Sequence, residues 1–342
     1  MYSESDLDGA VQAGALRPEA AAAFRAYVAA AREAPAVDEE HFRLLTGFND
    51  IFVAIALCLS LAAIAWIGGS IAAPLSGAGV AAAAWMLAEY FTARRRMALP
   101  SILLLIAFVG GVAGTLFGVA AELVQNPSDR VAAMIGAGVA LVTAGAAWVH
   151  WRRFMVPITV AAGALALVGL AVSLLLAAVP AVKDVVWPLL LLAGGAVFAL
   201  AMRWDMSDRN RTTRRSDVAF WLHLAAAPLI AHPVFQLLGV FDGEMGAGKA
   251  LVAIALYLAF AAVALAVDRR ALLVSSLVYV LYALGALFRT AGAVELGAAF
   301  TGLVIGSALL TLSAFWQPFR RRVVHAMGRG WAERLPPVAQ AL

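Results

Sequence analysis

Between Ile51 and Phe315 the chain returns repeatedly to apolar runs of about 20 residues, separated by short connections that carry arginine. A helix of that length crosses a hydrocarbon core about 30 Å thick. Inside lipid the backbone must satisfy its own hydrogen bonds, which leaves helices or closed barrels. The runs lack the alternating polar residues of a barrel strand. The fold expected is therefore all-α, a polytopic membrane protein. Composition agrees: of 342 residues 63% are hydrophobic and 13% charged, with a mean hydropathy of +0.89. A soluble domain is nearer half apolar and a quarter charged.

Ten spans are expected, at 50–69, 74–93, 99–121, 131–150, 156–179, 185–203, 217–240, 248–267, 271–288 and 292–315. Arginine placement sets their direction. Alternate connections hold Arg94, Arg95 and Arg96, then Arg152 and Arg153, then Arg203, Arg209, Arg211, Arg214 and Arg215, then Arg269 and Arg270. With the Arg320, Arg321, Arg322, Arg329 and Arg334 of the tail they make 17 cations, against four (Arg130, Lys183, Lys249 and Arg289) in the opposite set. Basic loops stay cytoplasmic, so both termini are expected inside. Trp148, Trp151, Trp204, Trp221 and Trp316 fit the inner interface and Trp66 and Trp187 the outer one, while Trp85 lies deeper than either belt. The net charge of +4 follows from this topology rather than from a nucleic-acid patch. The acidic start Met1–Asp8 has no short apolar core after it and does not read as a cleaved signal. Arg95-Arg-Met-Ala-Leu-Pro100 and Arg152-Arg-Phe-Met-Val-Pro157 match 57 positions apart, and Arg214-Arg215 and Arg269-Arg270 open similar units. Generic hairpins with basic inner loops explain this better than duplication, since the span interiors match poorly.

Three regions follow: a cytoplasmic hairpin and interfacial linker at 1–48, a bundle at 49–317 and a basic cytoplasmic tail at 318–342. In the first, Ser5 and Asp8 form a capping-box pattern, Gly14 stops one helix, and Pro18 and Glu19 open a second that ends by Pro35, with Phe24 and Val28 on one face. The segment from Asp38 to Asp50 is expected as an interfacial helix. The tail, Phe319 to Trp331, is basic and amphipathic, suited to anionic lipid. The hairpin is expected either as a solubilising cap packed on the inner loops or as a dock for a cytoplasmic protein. Its Ala13-Gly-Ala-Leu-Arg-Pro-Glu-Ala20 segment, followed by a linker and many spans, resembles a group of predicted bacterial inner-membrane proteins of unknown function. The resemblance implies the same layout and brings no catalytic residues with it. The abundance of arginine and alanine also points to a bacterium.

Chemistry is sparse. Cys58 is the sole cysteine, which excludes an intrachain disulfide and a cysteine metal cage. Phosphate-loop, dinucleotide, zinc-protease and nucleophile-elbow motifs are missing, and Gly243–Lys249 is a glycine-rich turn. The stretch Trp221–Phe235 stands out, with His223, Pro228, His232 and Pro233 inside one span and Gln236 just beyond. Proline near the midplane breaks helices where carriers bind solutes. The two histidines are nine apart, so a regular helix sets them on opposite faces about 13.5 Å apart along the axis. Each is then a neutral ring bonded to a neighbouring helix, or a proton or solute site. No metal or other cofactor is expected. Glu89, Tyr279 and Tyr282 complete the candidate solute-binding or proton-relay set; the alternatives are an interfacial ion pair for Glu89 and aromatic packing for the tyrosines, Tyr257 included. Gly110, Gly114 and Gly118, and likewise Gly302 and Gly306, are expected as helix-packing ridges. Two functions compete: a solute permease or carrier lined by a kinked seventh span, and a non-transporting scaffold or stress sensor acting through the hairpin. An intramembrane enzyme or cytochrome lacks its ligand set.

Overall fold

The computed structural model describes residues 4–31, 48–209, 211, 213–239, 247–270, 273, 276–282, 294–328 and 335–336. Among them the chain is helical, with no strand. The N-terminal hairpin is α1, Glu4–Gln12, and α2, Pro18–Ala31, joined through Gly14 at φ 71°. Asp8 and Arg25 close it with a 2.7 Å ion pair. Ser5 and Asp8 both lie within α1. Pro35 and most of the interfacial segment from Asp38 lie outside the described residues.

The bundle comprises α3 Phe48–Ile71, α4 Ala73–Ala88, α5 Ala98–Leu123, α6 Asp129–Phe154, α7 Ile158–Ala178, α8 Val186–Ser207, α9 Arg214–Leu237, α10 Ala247–Val267 and α11 Val294–Ala314. A π-helical turn, Glu89–Arg94, prolongs α4, and α12, Trp316–Ala326, follows α11. Among the described residues six helices are long and apolar enough to cross a membrane, and Gly302–Ala314 with Trp316–Ala326 makes a seventh if that pair, bent by 75°, is one span. α10 offers a shorter apolar stretch, Leu251–Val267. Between α10 and α11 helix is described at 273 and 276–282.

The tightest partners are those joined by arginine-bearing turns: α4 with α5, α6 with α7, and α8 with α9. These turns share a device. A non-glycine residue takes the left-handed conformation at Arg96 (φ 52°), Met155 (φ 55°), Arg211 (φ 53°) and Asp268 (φ 57°), each costing about 1 kcal/mol. The intervals stay close to the 57-residue spacing of the arginine motif. The turns also touch one another. Glu89 grips Arg153 with both oxygens, Arg214 donates to the Met155 carbonyl at 3.4 Å, and Arg211 pairs with Asp268 at 3.0 Å. All four therefore lie at one end of the bundle.

α9 is the most enclosed of the six long apolar helices. Of its apolar window 61% is buried, against 11–22% for the other five spans. It stays helical from Arg214 to Leu237 through Pro228 and Pro233. Pro233 deprives the Leu229 carbonyl of its backbone donor, yet tight packing holds the helix there. A Cβ on Gly194 of α8 would stand 2.9 Å from that carbonyl oxygen and 2.8 Å from the Ile230 side chain, so only glycine admits this contact.

Glycine works the same way between α4 and α5. A Cβ at Gly77 would meet the Thr115 backbone nitrogen, and at Gly111 and Gly118 the α4 backbone at 2.7 and 2.8 Å. Gly114 lies against Gly77 at 3.8 Å, whereas a Cβ at Gly110 meets nothing within 4 Å. The close-packed stripe is thus Gly111, Gly114 and Gly118; Gly114 and Gly118 stand as expected, and Gly111 replaces Gly110 because helix rotation selects the face. Gly302 and Gly306 meet no heavy atom within 4 Å among the described residues. Gly77→Ala is expected to cost about 1–3 kcal/mol of stability, and Gly110→Ala less than about 0.5 kcal/mol; thermal unfolding of the two purified variants in the same detergent measures the difference.

Candidate functional site at the arginine-rich end

α8 reaches this end carrying Asp205, 2% exposed. The Asp208 N–H closes the helix by donating to the Asp205 carbonyl at 3.1 Å. Thr213 then caps α9, while its own N–H and hydroxyl donate to Asp208 Oδ2 at 2.9 and 2.7 Å. One turn into α9 comes Ser216, and two turns further His223, fully buried. α10 delivers Asp268 and Arg269 on consecutive residues, which the left-handed Asp268 backbone aims in different directions.

Arg269 lies across the Asp205 carboxylate. Its Nη2 donates to Oδ1 at 2.5 Å and to the Ser216 carbonyl at 3.1 Å, and its Nε donates to Oδ2 at 3.3 Å. His223 Nε2 donates to the same Oδ2 at 2.8 Å, since an ionised carboxylate can only accept. Phe198 seats the imidazole edge-on at 5.1 Å. Asp268 faces the other way. It takes bonds from Trp316 Nε1 at 2.7 Å and Arg211 Nη1 at 3.0 Å, with Arg320 Nε at 3.4 Å. Arg320 also donates to the Pro336 carbonyl and Arg209 to the Leu335 carbonyl. Burial, and secondarily the neighbouring Arg269, hold the Arg211 guanidinium below its ordinary pKa, with Asp268 and Asp205 opposing.

The cluster is balanced. Asp205, Asp208 and Asp268 stand against Arg211, Arg269 and Arg320, all at or below 9% exposure. Charges this dry persist only when paired and hydrogen-bonded on most sides, and removing one partner of such a pair costs about 3–5 kcal/mol. The Glu89–Arg153 pair, 37% and 52% exposed, is worth about 0–1 kcal/mol.

The sequence candidates fall into separate places. His223 joins the cluster. His232 bonds Tyr279 Oη through Nδ1 at 3.0 Å, meets Trp187 edge-on at 5.1 Å, and adjoins Phe235, which stacks on Tyr279 at 4.4 Å. Both histidines thus touch α8, through Phe198 and Trp187, but share no ligand position. Gln236 is half-buried, while Pro228 and Tyr282 are exposed. Tyr257 packs in the apolar cluster of Ala264, Trp316 and Val324. Glu89 is bound into the Arg153 pair of the next hairpin. Among the described residues no three His, Cys, Asp or Glu side chains converge as a metal site.

Three features escaped the sequence analysis. Asp205, near the end of α8, and Asp268, directly before Arg269, are not singled out by the sequence pattern. His150, expected at the inner edge, is fully buried; its Nδ1 lies 3.2 Å from Thr159 Oγ1 inside a ring of Trp85, Phe108 and Phe154. The tail does not simply lie along lipid. Trp316, Arg320 and Val324, at i, i+4 and i+8 of α12, are buried with Leu335 against α10, leaving Arg322 exposed.

Comparison of the chain with protein-family models, curated proteins and solved structures finds no match.

Arg269→Ala is expected to destabilise by about 3–5 kcal/mol, and Asp205→Leu with Arg269→Leu together by clearly less, because the double change leaves no unpaired charge between them. Thermal unfolding of the single and double variants decides this.

Proposed function

We propose that the chain is a solute carrier of a bacterial inner membrane, with ten spans and both termini in the cytoplasm. The observation that carries this reading is α9. Among the described spans it is the one largely buried, and it is also the span that bears two prolines, two histidines and the contact with the ionic cluster. A purely structural buried helix has no need of expensive polar groups. His232, Tyr279 and Gln236 mark the outer half of the path, and His223 with Asp205 and Arg269 its inner mouth. The exposed Arg322 on α12 holds anionic lipid, and the arrangement of the four arginine turns at one end supports the assigned orientation.

A second reading has its own observation. Phe24 and Tyr27 on α2 are 45% and 71% exposed, an apolar strip suited to a protein partner. On that reading the bundle anchors a scaffold or sensor.

Thermal stabilisation of purified protein across a panel of small metabolites separates the two. A carried solute at a hundred times its Kd stabilises by about 2.7 kcal/mol. His232→Ala is expected to abolish that response while lowering the ligand-free stability by only about 1 kcal/mol. A panel without any response, or a full response in His232→Ala, contradicts the assigned path.

A further inference from the structure

We propose that His223 is a proton-binding switch which, when charged, loosens the C-terminal segment from the arginine-rich end of the bundle. Two geometric facts carry this. First, the His223 ring is fully buried, its Nε2 is committed to Asp205, and its Nδ1 has no hydrogen-bond partner among the described residues. Second, Arg269 and His223 converge on the same oxygen, Asp205 Oδ2, while the residue before Arg269 is the anchor of the tail.

The proton has one place to go. Nδ1 takes it, with no bond broken, and the imidazole becomes a cation with two donors. The charged groups acting on it are Asp205 from α8, Arg269 from the end of α10 and Arg211 from the connection. Three carboxylates and three guanidinium groups in the buried cluster already cancel. The added charge is therefore in excess, and the new Nδ1–H is a buried donor without an acceptor. A buried polar group left in that state costs about 1–3 kcal/mol, more when charged. The closed arrangement has no cheap way to accept it.

Relief comes by shifting Arg269. A charged His223 holds Asp205 more strongly and repels the guanidinium beside it, so Arg269 loses its hold on Oδ2. Asp268 moves with it, being the adjacent residue of one left-handed turn. Asp268 is where Trp316 and Arg320 are fastened, and Arg320 in turn holds the Pro336 carbonyl. Proton uptake at α9 is thus transmitted over one peptide unit to the segment that covers this end. As the coupling ion of the carrier the proton's role rests on the preceding proposal; the loosening itself does not.

Hydrogen exchange of residues 316–327, read by mass spectrometry on the full chain in lipid nanodiscs, tests it without any solute. After correction for intrinsic exchange, wild-type protein is expected to lose protection there by roughly tenfold between about pH 8 and about pH 5.5. His223→Gln, which keeps a donor for Asp205 but does not titrate, is expected to stay protected at both; His223→Asn serves if the first variant does not fold. Asp205→Asn is expected to be loose at both. Unchanged wild-type protection, or an equal response in the non-titrating variant, overturns the switch and leaves the carrier reading standing. A pH response in a protein that no solute stabilises overturns the carrier reading and leaves the switch.

Discussion

Everything at the arginine-rich end depends on two adjacent residues, Asp268 and Arg269, being buried and pulled in different directions. A guanidinium or carboxylate taken out of water loses several kcal/mol of hydration that only close, multiple hydrogen bonds restore. Arg269 regains it from Asp205 and Ser216 of the α8–α9 hairpin, and Asp268 from Arg211, Trp316 and Arg320. The turn therefore locks three otherwise separate pieces together: a hairpin, the end of α10, and the C-terminal helix. Apolar packing alone would let helices slide, since lipid solvates a leucine as well as a neighbouring helix does. Directional ionic contacts fix the register.

The rest of the bundle is held by closer means. Glycines at 77, 111, 118 and 194 let backbones meet, and the contacts they allow are dispersion contacts that any Cβ would forfeit. Ion pairs link successive turns at the arginine-rich end, from Glu89 with Arg153 to Arg211 with Asp268. The protein is thus firm where the arginines are and depends on shape elsewhere. α9 joins these regimes, carrying His223 into the ionic end and His232 to the aromatic pair with Tyr279.

Much of the fold was legible because a membrane imposes it. Run length locates helices α3 to α9 to within a few residues, and Pro18 and Gly14 locate the hairpin before them. The site was legible only in part. His223 and His232 stand out as polar residues in an apolar span, but periodicity on one helix says nothing of a partner such as Arg269, 64 positions from Asp205. The arginines misled in one respect: counted as topological markers, they hid that Arg211, Arg269 and Arg320 are buried structural ions. Asp268 directly before Arg269-Arg270, at the end of an apolar helix, was the available signal. The one-residue shift from Gly110 to Gly111 shows a second limit, since two glycines in a row leave the packing face to be chosen by the partner helix.

Most direct is a test of sidedness, because the contacts that join successive turns, and the cluster that fastens the tail, require them to share one face of the membrane. Single cysteines placed in a Cys58→Ser background at Ala93, Ser207 and Met327, and at Gln125 and Ala181 on the opposite connections, can be labelled in intact cells with a membrane-impermeant maleimide. The first three are expected to react only after the cells are opened, and the last two before. Labelling of Ser207→Cys or Met327→Cys in intact cells, with Ala93→Cys still protected, would contradict the account.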